Sequence, residues 1–132
     1  MRATTSDGVV AEAKAFNEVT LVRHTGQSAN VRVSIDGVVR IGKFVGDGLI
    51  ALTPVSPFRP RRWRGALLPD GAAIEFENLD PGKRPLSATA DVKEIFDVVS
   101  LSVRVETSAA VTLLFDPGHS LQDRIAAEQF SS

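Results

Sequence analysis

The sequence predicts an all-β fold: a sandwich or partly closed barrel of about eight or nine short strands with one C-terminal helix. Three observations predict it. Apolar and polar residues alternate with a period of two in several short stretches. Turn sequences built on Asp, Pro and Gly punctuate those stretches at short intervals. A helical start signal is found at the end of the chain, after Ser120.

Residues Val9 to Arg23 alternate loosely and read as one or two strands around Asn17-Glu18. His24 to Asn30 is polar and reads as a loop. Val31, Val33 and Ile35 alternate with Arg32 and Ser34, the pattern of a half-buried strand. Asp36-Gly37 then reads as a hairpin turn, with Val38, Val39 and Ile41 resuming the apolar pattern. Leu49 to Leu52 is a continuous apolar run, which predicts a strand buried on both faces. Pro54, Pro57 and Pro60 exclude a central strand and predict an extended connection or edge.

Trp63 to Leu68 reads as a strand, closed by the turn Pro69-Asp70-Gly71. Ile74 and Phe76 alternate with Glu75 and Glu77, and Asp80-Pro81-Gly82 turns the chain again. Leu86 to Ala90 is small and extended. Val99, Leu101, Val103 and Val105 alternate with Ser100, Ser102, Arg104 and Glu106, a further strand. Ser120 is a suitable N-cap, and Asp123 sits where a negative charge suits the helix dipole.

A chain of 132 residues is long enough for one core, and the expected organisation is a single domain over 1–132. With 43% hydrophobic and 23% charged residues the composition is that of a soluble globular protein. The net charge of -1 argues against a dedicated binder of nucleic acid or of an anionic membrane. The absence of cysteine excludes disulfides and thiolate metal sites and permits a cytoplasmic home. No apolar run approaches membrane-spanning length, and no signal-peptide pattern opens the chain.

His24 and His119 lie far apart without acids at ligand spacing, so solvated loop histidines are expected and no metal motif is read. Arg59, Arg61, Arg62 and Arg64 surround Trp63. Such a cluster can stack on and neutralise a nucleic acid, but its arginine stems can equally cover apolar surface, and the net charge favours the second reading. Two pieces carry more. Asn17-Glu18 puts an amide and a carboxylate among apolar strand residues, where they need partners; both are good receptors for ribose hydroxyls or for the edge of a base. Gly46-Asp47-Gly48 presents one carboxylate between two glycines just before an apolar strand, although Asp-Gly is also ordinary turn chemistry.

Read in order, several pieces resemble one family. They are Asn17-Glu18-Val19-Thr20-Leu21, Val33-Ser34-Ile35-Asp36-Gly37, Gly46-Asp47-Gly48-Leu49-Ile50 and Leu52-Thr53-Pro54-Val55-Ser56-Pro57-Phe58. Arg84-Pro85-Leu86-Ser87-Ala88, Asp91 and Leu114-Phe115-Asp116-Pro117-Gly118-His119-Ser120-Leu121 continue the series. Together they resemble the C-terminal domain of the NAD kinases, particularly the bacterial branch, over nearly the whole chain.

The resemblance implies an all-β domain that normally completes an enzyme phosphorylating the 2′-hydroxyl of the adenosine ribose of NAD. It implies ATP or polyphosphate and a divalent metal as the family's co-reactants, and a homodimer or tetramer as its usual assembly. It also implies that Asn17, Glu18 and Asp47 contact the dinucleotide. Two family features have no counterpart here: the Gly-Gly-Asp-Gly motif that carries the proposed general base, and the Thr-Pro-x-Gly-Ser-Thr-Ala-Tyr segment after Gly-Asp-Gly. In this chain Gly48-Leu49-Ile50-Ala51-Leu52-Thr53-Pro54 runs straight on into Val55-Ser56-Pro57. The expectation is therefore an internally shortened dinucleotide-binding domain that is catalytically incompetent alone, with no catalytic residue of its own. It either has a catalytic half supplied in trans or, in the alternative reading, acts as a structural, self-assembling β module.

Overall fold

Ten strands and no helix are found among the described residues of the computed structural model, which are 1–37, 49–55, 57, 61, 63–109, 112 and 114. They are β1 (Arg2–Thr5), β2 (Val10–Glu12), β3 (Val19–Arg23), β4 (Val31–Ile35), β5 (Leu49–Leu52), β6 (Ala66–Pro69), β7 (Ile74–Asn78), β8 (Leu86–Ala90), β9 (Lys93–Ile95) and β10 (Val98–Val103). All pairings are antiparallel. The all-β expectation holds. The helix expected after Ser120 lies outside the described residues, as do Val38 to Ile41, Arg59, Arg62 and His119.

Three sheets form, in the orders β2-β1-β10-β7-β4, β3-β8-β9 and β5-β6. The period-two pattern explains how they stack. Along β10, Leu101 is buried while Ser100 on the outer side is exposed, and the register shift opposite Thr4 and Thr5, which leaves Val99 as an extra residue, brings Val98 to the same buried side as Leu101. Ala3, Val98 and Leu101 of the five-stranded sheet meet Ala88 and Ile95 of the three-stranded sheet, with Val19 and Leu21 packed against them. That is a sandwich, face to face over one part of the large sheet. Over the β4–β7 part, the two-stranded sheet covers a second cluster of Leu68, Ala72 and Ile74, joined by Val33, Ile50 and Leu52. Phe76 touches both clusters and links them.

The turns follow their chemistry. Asp36 and Gly37 both adopt positive φ, 50° and 70°, as the Asp-Gly hairpin reading requires. The Asp36 carboxylate also accepts the Ala73 amide at 2.8 Å, which ties this turn to the start of β7. The Ala72 amide closes the Pro69-Asp70-Gly71 turn on the Pro69 carbonyl. After β7, buried Asn78 holds the Asp80-Pro81-Gly82 turn: it donates to the Arg84 carbonyl at 2.9 Å and accepts the Asp80 amide at 3.1 Å. Asn78→Ala leaves that carbonyl and amide without their buried partner. It is expected to lower stability by about 1–3 kcal/mol, checked by urea denaturation.

Four expectations are corrected. Leu49 to Leu52 is not buried on both faces, because Ala51 is exposed while Ile50 and Leu52 face the core. The reason is that β5 belongs to a two-stranded sheet with one covered face. The strand read from Trp63 begins only at Ala66, because Gly65 takes φ 92°, outside strand geometry. The strand read through Glu106 ends at Val103, and Val105 is exposed. Of the one or two strands expected around Asn17-Glu18 the structure has two, but the pair is not buried among strand residues: it closes the link between β2 and β3, and both side chains are exposed.

Candidate functional site

Asn17 and Glu18 stand immediately before β3, whose five residues pair with all five of β8. Val19 and Leu21 bury inward, so β3 is anchored and its entry point is set by the sandwich core. What holds the link itself is the next hairpin. β8 and β9 are joined by the two-residue turn Asp91-Val92, with Ala90 opposite Lys93. Lys93 Nζ donates to the Glu12 carbonyl at 3.0 Å, at the end of β2 where the link begins.

Asp91 holds the other end of the link. Its Oδ2 accepts the Phe16 amide at 2.6 Å, and its Oδ1 accepts the amides of Asn17 and Glu18, each at 3.1 Å. Its own amide donates back to the Glu18 carbonyl at 3.1 Å. Three successive N–H groups thus converge on one carboxylate, the arrangement of a backbone anion nest. These bonds favour the charged form. The Phe16 amide first, then that of Glu18, hold the Asp91 carboxyl below its ordinary value. The expected receptor pair is therefore organised through its main chain, and its side chains face outward.

No regular pattern in the sequence marks this clamp. Asp91 stands 73 to 75 residues from the amides it accepts. Its one local signal is the turn itself: it adopts φ 49° at the first turn position, a conformation that Gly, Asn and Asp accept.

Asp47, the third expected contact, lies outside the described residues. Arg61 and Arg64 are exposed beside half-buried Trp63. The His24 ring meets Phe96 edge-on, 5.4 Å between centroids. A broad polar depression lies on the outer face of the five-stranded sheet, where Arg32 and Glu77 pair at 2.7 Å; its lining does not include Asn17 or Glu18. Among the described residues no group of three or more His, Asp or Glu side chains is placed to hold a metal ion. No helix among the described residues is long and apolar enough to cross a membrane.

The chain is similar to proteins named NAD kinase. One from Xylella fastidiosa is 44% identical, with 99% of this chain and 61% of that protein aligned. One from Mesorhizobium japonicum is 44% identical over 98% of this chain and 61% of its own length. One from Xanthomonas oryzae pv. oryzae is 42% identical over the same shares as the first. The alignment with the Xylella protein runs over 157 residues against 132 in this chain, so positions inside the matched stretch of the relative have no counterpart here. No family model matches the chain, and no solved structure matches it. The chain spans about 61% of the length of these curated relatives. Its sequence belongs with the NAD kinase family, as a counterpart of the C-terminal part of those proteins.

Proposed function

We propose that residues 1–132 act as one β domain that receives part of an NAD molecule through Asn17, Glu18 and Asp47 and does not transfer phosphate by itself. The observation that carries this reading is the Asn17-Glu18 pair, solvent-facing and held at its main chain by Asp91, in a chain alignable to NAD kinases almost end to end. An exposed amide and carboxylate on an anchored segment suit the hydroxyls of a ribose, because both can pair with a neutral donor–acceptor group without burying a lone charge.

The lack of turnover follows from what phosphoryl transfer needs. That reaction depends on positioning and on electrostatic stabilisation of the transferring group. The 132 residues contain no Gly-Gly-Asp-Gly general-base motif and no Thr-Pro-x-Gly-Ser-Thr-Ala-Tyr segment. A complementary chain that carries the first of these restores the reaction in this reading, and the site then assembles in the cytoplasm between chains of a homo-oligomer or a mixed one.

Calorimetric titration of NAD tests the binding claim. Glu18→Gln and Asp47→Ala are each expected to weaken NAD binding roughly tenfold or more, the value of losing a charged hydrogen-bond acceptor. Equal heats for wild type and Asp47→Ala remove Asp47 from the site. A coupled assay for NADP, on protein purified from a host whose own kinase is removed, tests the second claim. Steady NADP formation by the chain alone overturns it.

A further inference from the structure

We propose that Asp91 is a positioning residue of this site: its carboxylate locks the Phe16-Asn17-Glu18 main chain in one conformation before any ligand arrives. The proposal rests on the reading that Asn17 and Glu18 receive NAD. It goes beyond it by giving the receptor pair a fixed support on a different strand pair.

Two independent features point to this role. The first is the density of bonds. Three amides and one carbonyl of three consecutive residues are all satisfied by Asp91, although the link they belong to is exposed and carries no regular pairing of its own. An exposed link without such ties samples many conformations, and a ligand that binds it must then supply the ordering entropy. The second is the cost accepted at the turn. A two-residue hairpin with positive φ at its first position prefers glycine, yet an aspartate stands there at φ 49°. Aspartate tolerates this conformation better than most residues, and Asp36 and Asp97 adopt it too; what sets Asp91 apart is that its carboxylate reaches Phe16, Asn17 and Glu18.

Lys93 supports the same arrangement by holding the Glu12 carbonyl where the link starts. The β8–β9 hairpin thus grips the link at both ends. Because β8 pairs along its whole length with β3, the hairpin and the receptor pair stand on the same two strands of the sandwich core.

Asp91→Gly separates support of the site from support of the fold. Glycine relaxes the turn while removing the carboxylate, so the thermal midpoint of the full chain is expected to stay within about 4 °C of wild type. NAD affinity by calorimetry is expected to fall about tenfold, because the ordering cost passes to the ligand. In 15N-edited spectra of the ligand-free chain the amides of Phe16, Asn17 and Glu18 should move and exchange faster with solvent. In wild type these three amides should titrate together as pH falls through the depressed pKa of Asp91, below the ordinary carboxylate range. In Asp91→Gly that titration should vanish.

Asp91→Asn retains one acceptor oxygen for Asn17 and Glu18 and is expected to lie between the two; it also decides the matter if the glycine variant does not fold. NAD affinity in Asp91→Gly equal to wild type overturns the positioning role. Three amides that show no common acid titration in wild type overturn the lock itself. If wild type binds no NAD, the dinucleotide reading and the positioning role fall together, and the lock is judged by the amide titration alone.

Discussion

Gly65→Ala is expected to lower stability on the order of 3 kcal/mol, because two penalties add there. Gly65 adopts φ 92°, a conformation that side chains disfavour. A Cβ at this position would also run into the Leu52 carbonyl oxygen and stand 2.9 Å from Pro54 Cδ. The obstacle is mostly main chain, and it belongs to the strand that β6 must pair with, Leu52 lying opposite Ala66. Relief therefore requires β5 and β6 to part, which uncovers the cluster of Leu68, Ala72 and Ile74. A thermal midpoint lower by roughly 10 °C, with faster amide exchange across β5 and β6, is the result to look for. Gly26→Ala makes the same chemical change at a glycine with nothing within 4 Å and should stay within about 0.5 kcal/mol of wild type. Equal stability of the two variants would show that Gly65 is not constrained as described.

Leu101→Ala is expected to cost about 2–5 kcal/mol. Leu101 is only 2% exposed, and it lies on the middle strand of the five-stranded sheet, between β1 and β7. Its side chain fills the space beneath Ala3, Ala88, Ile95 and Val98. Several of these neighbours are alanine and valine, too small to swing into the void, so the cavity should persist. In urea the midpoint should fall while the slope stays close to wild type. Leu101→Ile keeps the volume and should cost less than about 1.5 kcal/mol. The site should feel the larger change. Ala88 is a buried residue at the centre of β8, and β8 carries both the pairing with β3 and the hairpin that bears Asp91. NAD binding that survives Leu101→Ala intact would mean that the receptor pair is independent of the sandwich core.

The strands that were legible in the sequence are those with strong alternation. β4 and β7 each place bulky apolar residues on one side and Ser, Arg or Glu on the other, and β10 does so from Ser100 on; before it, the register shift opposite Thr4 and Thr5 buries Val98 where the alternation pointed to Val99. The two that went unread, β1 and β9, are short and carry little apolar bulk. The buried residue of β1 is Ala3, and β9 is only Lys93–Ile95. Both are strands because longer partners pair with them: β1 lies between β2 and β10, and β9 closes on β8. The over-long reading at Trp63 failed on one backbone angle, that of Gly65, which apolar pattern does not report. The double burial read into Leu49 to Leu52 failed because periodicity tells nothing of how many sheets cover a strand.

By itself, the sequence determined the all-β class, most of the turns, and the Asn17-Glu18 pair with its likeness to NAD kinases. These are local matters: side-chain alternation, the φ tolerance of Asp and Gly, and the order of short motifs along the chain. Tertiary structure alone decided that the pair stands at the entry of β3 rather than within a strand, that its main chain is the part held, and that Asp91 holds it. The physical reason is distance along the chain. The carboxylate and the three amides it accepts are separated by more than half the protein, and only the pairing of β3 with β8 brings them within hydrogen-bond reach.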